Sequence, residues 1–431
     1  MVALLGLLTI LLLLVLVMTR TTSPVVALIL VPIGTALLAG FTTEIVDFMT
    51  EGIKAIATTA VMFIFAILFF GVLMDAGTFE PIISRLLKAA GGHPPRITLV
   101  TAILAMIVHL DGSGAVTFLV TVPAMLPLYD ALGMRRTTLA TVVALAAGTM
   151  NIVPWGGPTI RAATALEVPV TQLFNPMLIP VLCGLATVLG ISYWLGMKET
   201  KQIPVPIKPG IEAGLGAALK PTKLARPRLL WFNLLLIVLA IVVLISALAP
   251  PHLIFMVAFT LAISVNYPNL ADQRERVDVH AKAALLMASI LFAAGCFTGI
   301  LKGAGMIDAM AAAAVDVIPA SVGNHLALIT GVLSMPASLL FDPDSFYFGV
   351  LPLLGTTATH FDGTAIEVGR AALLGQMTTG FPVSPLTGAT FLLIGLTSID
   401  LADHQRKTIP LAFLVTLVML LVSLMLGVIS F

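Results

Sequence analysis

Charge is what this sequence has least of. Of its 431 residues only 10% are Asp, Glu, Lys or Arg, and the formal net charge is +1; soluble domains carry roughly 25%. That balance excludes a basic nucleic-acid surface and an acidic interaction tail. Cysteine is nearly missing. Cys183 and Cys296 both sit in apolar stretches, which excludes a disulfide framework and a cysteine-based metal site. There is no Walker loop, dinucleotide-binding glycine pattern, zinc-ligand spacing or Ser/His/Asp arrangement in a soluble domain, so neither nucleotide hydrolysis nor the common enzyme chemistries find support. What remains is apolar length: hydrophobic residues make up 59% and mean hydropathy is +1.10, the composition of an integral membrane protein. Met1 to Met18 lacks a basic n-region and a small-residue cleavage site, and reads as a first membrane helix rather than a removed signal.

Apolar stretches long enough to span, or nearly so, run at 2–19, 24–40, 55–74, 96–110, 137–150 continuing brokenly to 167, and 172–197. A second set runs at 229–249, 252–266, 282–302, 322–341, 366–378 continuing brokenly to 399, and 408–430. Between them, 198–228 holds seven Lys/Arg against Glu199 and Glu212, which places this hinge in the cytoplasm. Six crossings before an inside linker put the N-terminus inside too.

The halves repeat each other. Gly71-Val-Leu-Met-Asp-Ala-Gly77 matches Gly299-Ile-Leu-Lys-Gly-Ala-Gly305, Asp111-Gly-Ser113 stands against Asp342-Pro-Asp344, and Gly148-x-Met150 with Pro158 matches Gly375-x-Met377 with Pro385. Three matches in order indicate a duplication, with a substrate site where interrupted segments of the two halves meet near mid-membrane. Inverted repeats need an odd number of crossings between equivalent points. The apolar stretches give six, so either 229–249 or 252–266 fails to cross fully or the repeats are parallel.

Three polar constellations interrupt the apolar runs. Gly148 to Arg161 should break a helix inside the membrane, because proline withholds a helical donor and glycine weakens what remains. Arg161 at that depth needs a carboxylate, a carbonyl or water as partner. The stretch from Leu110 to Leu128 suits a re-entrant hairpin, with Ser113, Gly114 and Thr117 offering donors to an anion and Asp111 able to take a proton or cation. Phe341 to Leu354 is its partner, where Asp342 and Asp344 raise one another's proton affinity or gather a hard divalent ion beside Ser345 and Tyr347. The second break, Gly375 to Thr390, offers Gln376, Thr378, Thr379 and Ser384 but no arginine. His109 is a relay candidate, though a packed histidine explains it as well.

These words resemble the citrate–divalent metal:proton symporters of the CitMHS family, in the ion transporter superfamily. They are Phe-Gly-Val-Leu-Met-Asp-Ala-Gly at 70–77, Leu-Asp-Gly-Ser-Gly at 110–114, Ala-Met-Leu-Pro-Leu-Tyr at 124–129, Pro-Trp-Gly-Gly-Pro-Thr at 154–159, Phe-Asp-Pro-Asp-Ser-Phe-Tyr-Phe-Gly at 341–349 and Asp-His-Gln-Arg at 403–406. The resemblance implies proton-driven uptake of citrate chelated to a divalent metal, across the plasma (inner) membrane, by a homodimer. It also implies an all-α polytopic fold of two inverted repeats, about 11–12 transmembrane helices including two broken ones, and two re-entrant hairpins. Scaffold helices would lie at 1–54, at 169–281 and at 401–431. Transport-domain repeats would lie at 55–168 and 282–400, with hairpins at 111–128 and 342–358. Where related dicarboxylate carriers have Ser-Asn-Thr words, this chain has only Ser113 and Asn151 in the first half, and Asp344-Ser345 with Thr378-Thr379 in the second.

The expected site therefore gathers Ser113, Gly114, Thr117, Asn151, Gly156, Gly157, Thr159, Arg161, Ser345, Thr378, Thr379 and Ser384 around a metal–tricarboxylate. Asp111, Asp342 and Asp344 serve protons or cations. No cofactor and no dedicated protein metal site are expected, since the metal arrives with the citrate. Two alternatives stand beside this reading: a Na⁺- or H⁺-coupled carrier of free di- or tricarboxylates, and a cation/proton exchanger with no organic substrate.

Overall fold

The computed structural model describes residues 1–19, 21–112, 114–201 and 224–430. Ser113 and most of the basic linker expected at 198–228 lie outside them. The described chain is helical throughout. Seven helices are long and apolar enough to cross a membrane, and five shorter apolar helices accompany them.

Two helices open the chain, α1 (Val2–Met18) and α2 (Pro24–Leu38), followed by the 32-residue α3 (Glu44–Asp75). A short α4 (Glu80–Ala90) leads to α5 (Pro94–Val108), which folds back through a 3₁₀ turn at His109–Asp111 into α6 (Gly114–Ala131). Next come α7 (Arg136–Met150), an interruption, α8 (Gly157–Ala165), the single turn α9 (Val170–Phe174) and α10 (Leu178–Thr200).

The second half runs through the same order: α11 (Leu230–Ile245), α12 (Pro251–Asn266) and the 34-residue α13 (Leu270–Gly303). The short α14 (Met306–Val317) and α15 (Ala320–Gly323) follow. Then α16 (Leu326–Ala337) turns into a π-helical segment, Ser345–Val350, continued by α17 (Leu351–Thr359). After α18 (Ala365–Leu373) and an interruption, α19 (Gly388–Thr397) and α20 (Leu401–Met425) complete it.

The long helices α3 and α13 hold equivalent positions in that order and pack antiparallel. A Cβ on Gly52 would sit 2.0 Å from the Gly295 carbonyl oxygen, one on Gly299 would sit 2.3 Å from that of Phe48, and one on Gly71 would strike the His280 ring. Small residues let two backbones touch, as membrane interfaces do where apolar burial cannot drive association. At the far end Asp75 accepts from Arg276 at 3.1 Å and His280 Nε2 at 2.9 Å.

The hairpins differ from the sequence reading in where they turn. Thr101 and Tyr129 hydroxyls meet at 3.2 Å, so α5 and α6 are the two arms of one hairpin, and 111–128 is mostly its return arm. Likewise 342–358 is mostly the return arm after α16. The cause is local: Pro123 and Pro127, residues that would suit an irregular tip, are both accommodated inside α6. The orientation also needs correction. Gly6 packs on Met306 and Met310, near the Lys302 end of α13, whereas the Arg226 N–H bonds the Ala76 carbonyl at the opposite end. The N-terminus and the linker therefore lie at opposite ends, because α5 returns through α6 instead of adding a sixth net passage.

The basic residues sort by end. Arg135 pairs with buried Glu199, Lys407 bonds Thr138 beside it, and Gly196 abuts Pro94 and Pro95, all at the Arg226 and Arg276 end. Lys302, paired with Glu167, and Arg370, bonded to the Gln172 and Val428 carbonyls, lie at the other.

Candidate functional site

The first break begins where α7 runs out. Gly148 touches the second break so closely that a Cβ there would lie 2.6 Å from the Thr378 carbonyl oxygen. After Met150 the chain turns sharply enough that a Cβ on Gly156 would sit 2.2 Å from the Asn151 oxygen, and Pro158 then occupies the first turn of α8. Arg161 stands one turn into α8. Helical side chains lean toward the N-terminus, and its guanidinium lies over Gly157, where a Cβ would be 2.8 Å from Nη1. It therefore meets the positive end of its own helix, a combination that favours an anion. Arg161 Nε donates to Asp344 Oδ1 at 2.7 Å, with only 11% and 9% of the two side chains exposed.

The first hairpin tip packs on both breaks. Gly112 takes φ 75°, and the Trp155 indole N–H donates to the Leu110 carbonyl at 2.7 Å. Gly114 faces the Phe381 ring of the second break, and Phe118 stacks on it. Asn151 Nδ2 donates to the Met377 carbonyl at 3.0 Å, which leaves its Oδ1 to accept from His109 Nε2 at 3.3 Å. His109 Nδ1 then accepts from the Thr117 hydroxyl at 2.8 Å. One hydrogen-bond chain, Thr117 to His109 to Asn151 to Met377, thus ties the tip to both breaks. Asp111 lies on the tip's 3₁₀ turn, half-buried.

The second tip carries the carboxylates. Asp342 Oδ2 accepts the N–H groups of Asp344 and Ser345 at 3.1 and 3.2 Å, capping the π segment, while Pro343 restricts the backbone between them. The tip is anchored to the second break by Ser384 Oγ on the Ser338 carbonyl, 2.5 Å, and by Tyr347 OH on the Gln376 carbonyl, 2.6 Å. Thr378 donates to the Leu373 carbonyl at 2.7 Å, and Thr379 meets Thr416 at 2.6 Å. Those three break hydroxyls hold backbone or neighbouring helix, so they retain acceptor capacity only. By contrast Thr159 Oγ1, Ser345 Oγ, Asp342 Oδ1 and both amide atoms of Gln376 are buried with no partner. The Thr121, Thr149 and Thr164 hydroxyls share that state, so missing partners alone do not single out a binding place.

Two cavities flank this region. One of about 640 Å³ is lined by Asp342, Pro343, Asp344, Leu386 and the turn between α1 and α2, toward the linker end. Another of about 290 Å³ lies at the opposite end, lined by Thr164 in the last turn of α8, Glu167 just past it, and Pro250 and His252. Sequence reasoning underrated two residues. His109 is a hub because its two ring nitrogens face a hydroxyl and an amide; Gln376 stands out because both its amide atoms lack partners. Only the position of Gln376 in the repeated Gly-x-Met word hinted at it. Among the described residues no three or more His, Cys, Asp or Glu gather as a metal site.

The comparisons with known proteins agree on family and fold. The chain is 42% identical over 434 residues to a citrate transporter of Bacillus subtilis (strain 168), covering 100% of both chains. It is 41% identical to the Mg(2+)/citrate complex secondary transporter of the same organism, covering 100% of this chain and 99% of that one. Among solved structures it superposes on the Neisseria gonorrhoeae MtrF efflux pump with a TM-score of 0.61 at 12% identity, over 90% and 84% of the two chains. For the Alcanivorax borkumensis YdaH transporter the TM-score is 0.58 at 13% identity, over 90% and 87%. At those identities the likeness is one of fold. The apolar helices and these relatives make it a multi-pass plasma-membrane protein and a transporter rather than an enzyme. The family model for citrate transporters matches residues 1–380, and the chain belongs to that CitMHS family.

Proposed function

We propose that this protein takes up citrate chelated to a divalent metal ion, driven by protons, at a site between the two tips and the two breaks. The observation that carries the reading is the charge count around Arg161. Arg161 pairs with Asp344 at 2.7 Å and a second buried carboxylate, Asp342, stands two residues earlier, so with both ionised the site carries more negative than positive charge before any substrate binds. A free trianion would meet repulsion and a large desolvation cost. Chelation reduces it to about one negative charge and supplies a cation to face the carboxylates. Arg161, the start of α8, Thr159 and Asn151 take the organic anion, and Asp111 remains to carry the proton.

The antiparallel equivalence of α3 and α13 supports inverted repeats, with α5–α6 and α16–α17 as re-entrant hairpins. Each half then crosses an odd number of times, and the basic end faces the cytoplasm with the N-terminus outside. Cavities at opposite ends of α8 suit alternating exposure, with α1, α2, α11 and α12 as a dimeric scaffold. Trp231, Leu235, Val238 and Leu239, all exposed on α11, give that scaffold an apolar face.

The test is radiolabelled citrate uptake into proteoliposomes, with Mg²⁺, with Ca²⁺ and with chelator, each with and without an inward proton gradient. Uptake that needs both metal and gradient is the expected result. Equal uptake in chelator would make the protein a free carboxylate carrier, and cation exchange without citrate movement would make it an exchanger.

A further inference from the structure

We propose that Asp342 and Asp344 meet the metal ion of the cargo, and that the Arg161–Asp344 pair exchanges partners as the complex enters. The citrate carboxylate takes the place of Asp344 on Arg161, and the divalent ion takes the place of Arg161 on Asp344. This rests on the reading that the cargo is chelated citrate.

The second tip is built as half of a coordination sphere. Asp342 is held by two backbone N–H groups on Oδ2, its Oδ1 is buried without a hydrogen-bond partner, and the residue lines the 640 Å³ cavity. Asp344 shares that wall, and the Ser345 hydroxyl, fully buried, follows it in the chain. Hard divalent cations take oxygen ligands, and Mg²⁺ in particular binds through one or two carboxylates with the rest supplied by substrate and water. Two carboxylates and a hydroxyl are too few to retain a bare ion, which fits a site that accepts the metal only with its citrate.

Exchange also explains selection for the chelate. Drawing Arg161 away from Asp344 with a carboxylate alone would leave two buried carboxylates unbalanced, the costly outcome of breaking a buried pair on one side. The chelate offers both charges at once, in the order the pair presents them. In the empty protein Arg161 and Asp344 mimic the cargo, carboxylate against cation, and keep the site shut to either ion alone.

The experiment uses the full chain in proteoliposomes, comparing wild type with Asp342→Asn, Asp344→Asn and Asp344→Glu. It measures citrate uptake in Mg²⁺ and Ca²⁺, and citrate binding in chelator. Asp342→Asn is expected to lose about tenfold in Mg²⁺–citrate uptake and to change the Mg²⁺/Ca²⁺ ratio. Asp344→Asn, with Arg161 released, should bind metal-free citrate about tenfold more tightly than wild type while losing uptake of the chelate. Asp344→Glu keeps the charge but lengthens the arm, so it shifts the ratio and stands in should the Asn variant fail to purify as a single species. Wild-type uptake that ignores metal overturns the chelate reading itself. Metal-dependent wild-type uptake, with every variant retaining the wild-type ratio and metal-free affinity, overturns only the assignment of these carboxylates.

Discussion

The two halves run through the same elements in the same order, yet their polar interruptions carry opposite chemistry. In the first half the break spans only the turn from Asn151 to Gly156 and delivers a guanidinium, while the return arm of its hairpin, α6, is α-helical from Gly114. In the second half the break runs from Leu374 to Thr387 and delivers no cation, while the return arm starts as a π turn behind two carboxylates. π segments are rare and cluster at functional sites. The shared frame is the antiparallel glycine seam between α3 and α13; the difference lies at the tips. On the proposed reading, both halves offer broken helices with their dipoles and freed backbone, and the first holds the anion while the second holds the cation. The chelate proposed as cargo carries both charges, and such asymmetry suits it where identical halves would not.

The largest effect expected from disturbing that asymmetry is at Arg161. Arg161→Ala leaves Asp344 and Asp342 buried without their cation, a loss of about 3–5 kcal/mol in stability, and should abolish citrate uptake. Arg161→Ala with Asp344→Ala should recover most of the thermal stability in detergent and none of the uptake. Recovery of both would show that the pair is architectural, and the contrast between the halves would lose its functional meaning.

The shared frame breaks next. A side chain on Gly299 meets the Phe48 carbonyl at 2.3 Å, backbone that cannot move aside, so Gly299→Val should lower stability by about 3 kcal/mol and reduce the yield of folded protein. Gly34→Val, with nothing near its side, should leave both unchanged. Fluorescence-detected size exclusion after heating reads the difference.

Much of this was legible in the chain. Hydropathy marks the helices, the Gly-Pro-rich words mark both breaks, and Arg161 and Asp344 stand out as charges in apolar surroundings, though nothing in the sequence shows that they touch. The miscounted passage was not legible, because α5 is as apolar as a spanning helix and only its pairing with α6 reveals a hairpin. Nor could hydroxyl roles be read. Thr378 and Thr159 look alike in sequence, and what separates them is whether a carbonyl happens to lie within reach.

A smaller effect is expected where the halves are tied together. Asn151 joins the His109 ring to the Met377 carbonyl, so Asn151→Ala strips a donor from one and an acceptor from the other, both buried. That should cost about 2 kcal/mol and loosen the two breaks from each other, lowering citrate affinity about tenfold. His109→Gln, which keeps a donor and an acceptor, should be milder than His109→Phe, which keeps neither. Equal losses from the two would mean that ring volume matters at this position and the hydrogen-bond chain does not.

The smallest effect separates the halves most cleanly. Thr378 already donates to the Leu373 carbonyl, whereas the Thr159 hydroxyl is buried and unbonded. Valine has the shape of threonine without the donor. Thr378→Val should therefore lower stability by about 1 kcal/mol through the abandoned carbonyl and leave the citrate KM unchanged. Thr159→Val removes a polar atom that folding has left unsatisfied, so stability should hold or rise by up to about 1 kcal/mol while the citrate KM rises severalfold. The two substitutions are chemically identical and should move stability and affinity in crossed directions. If both changed stability alone, the first break would be as purely structural as the second, and Arg161 would have to hold the anion without it.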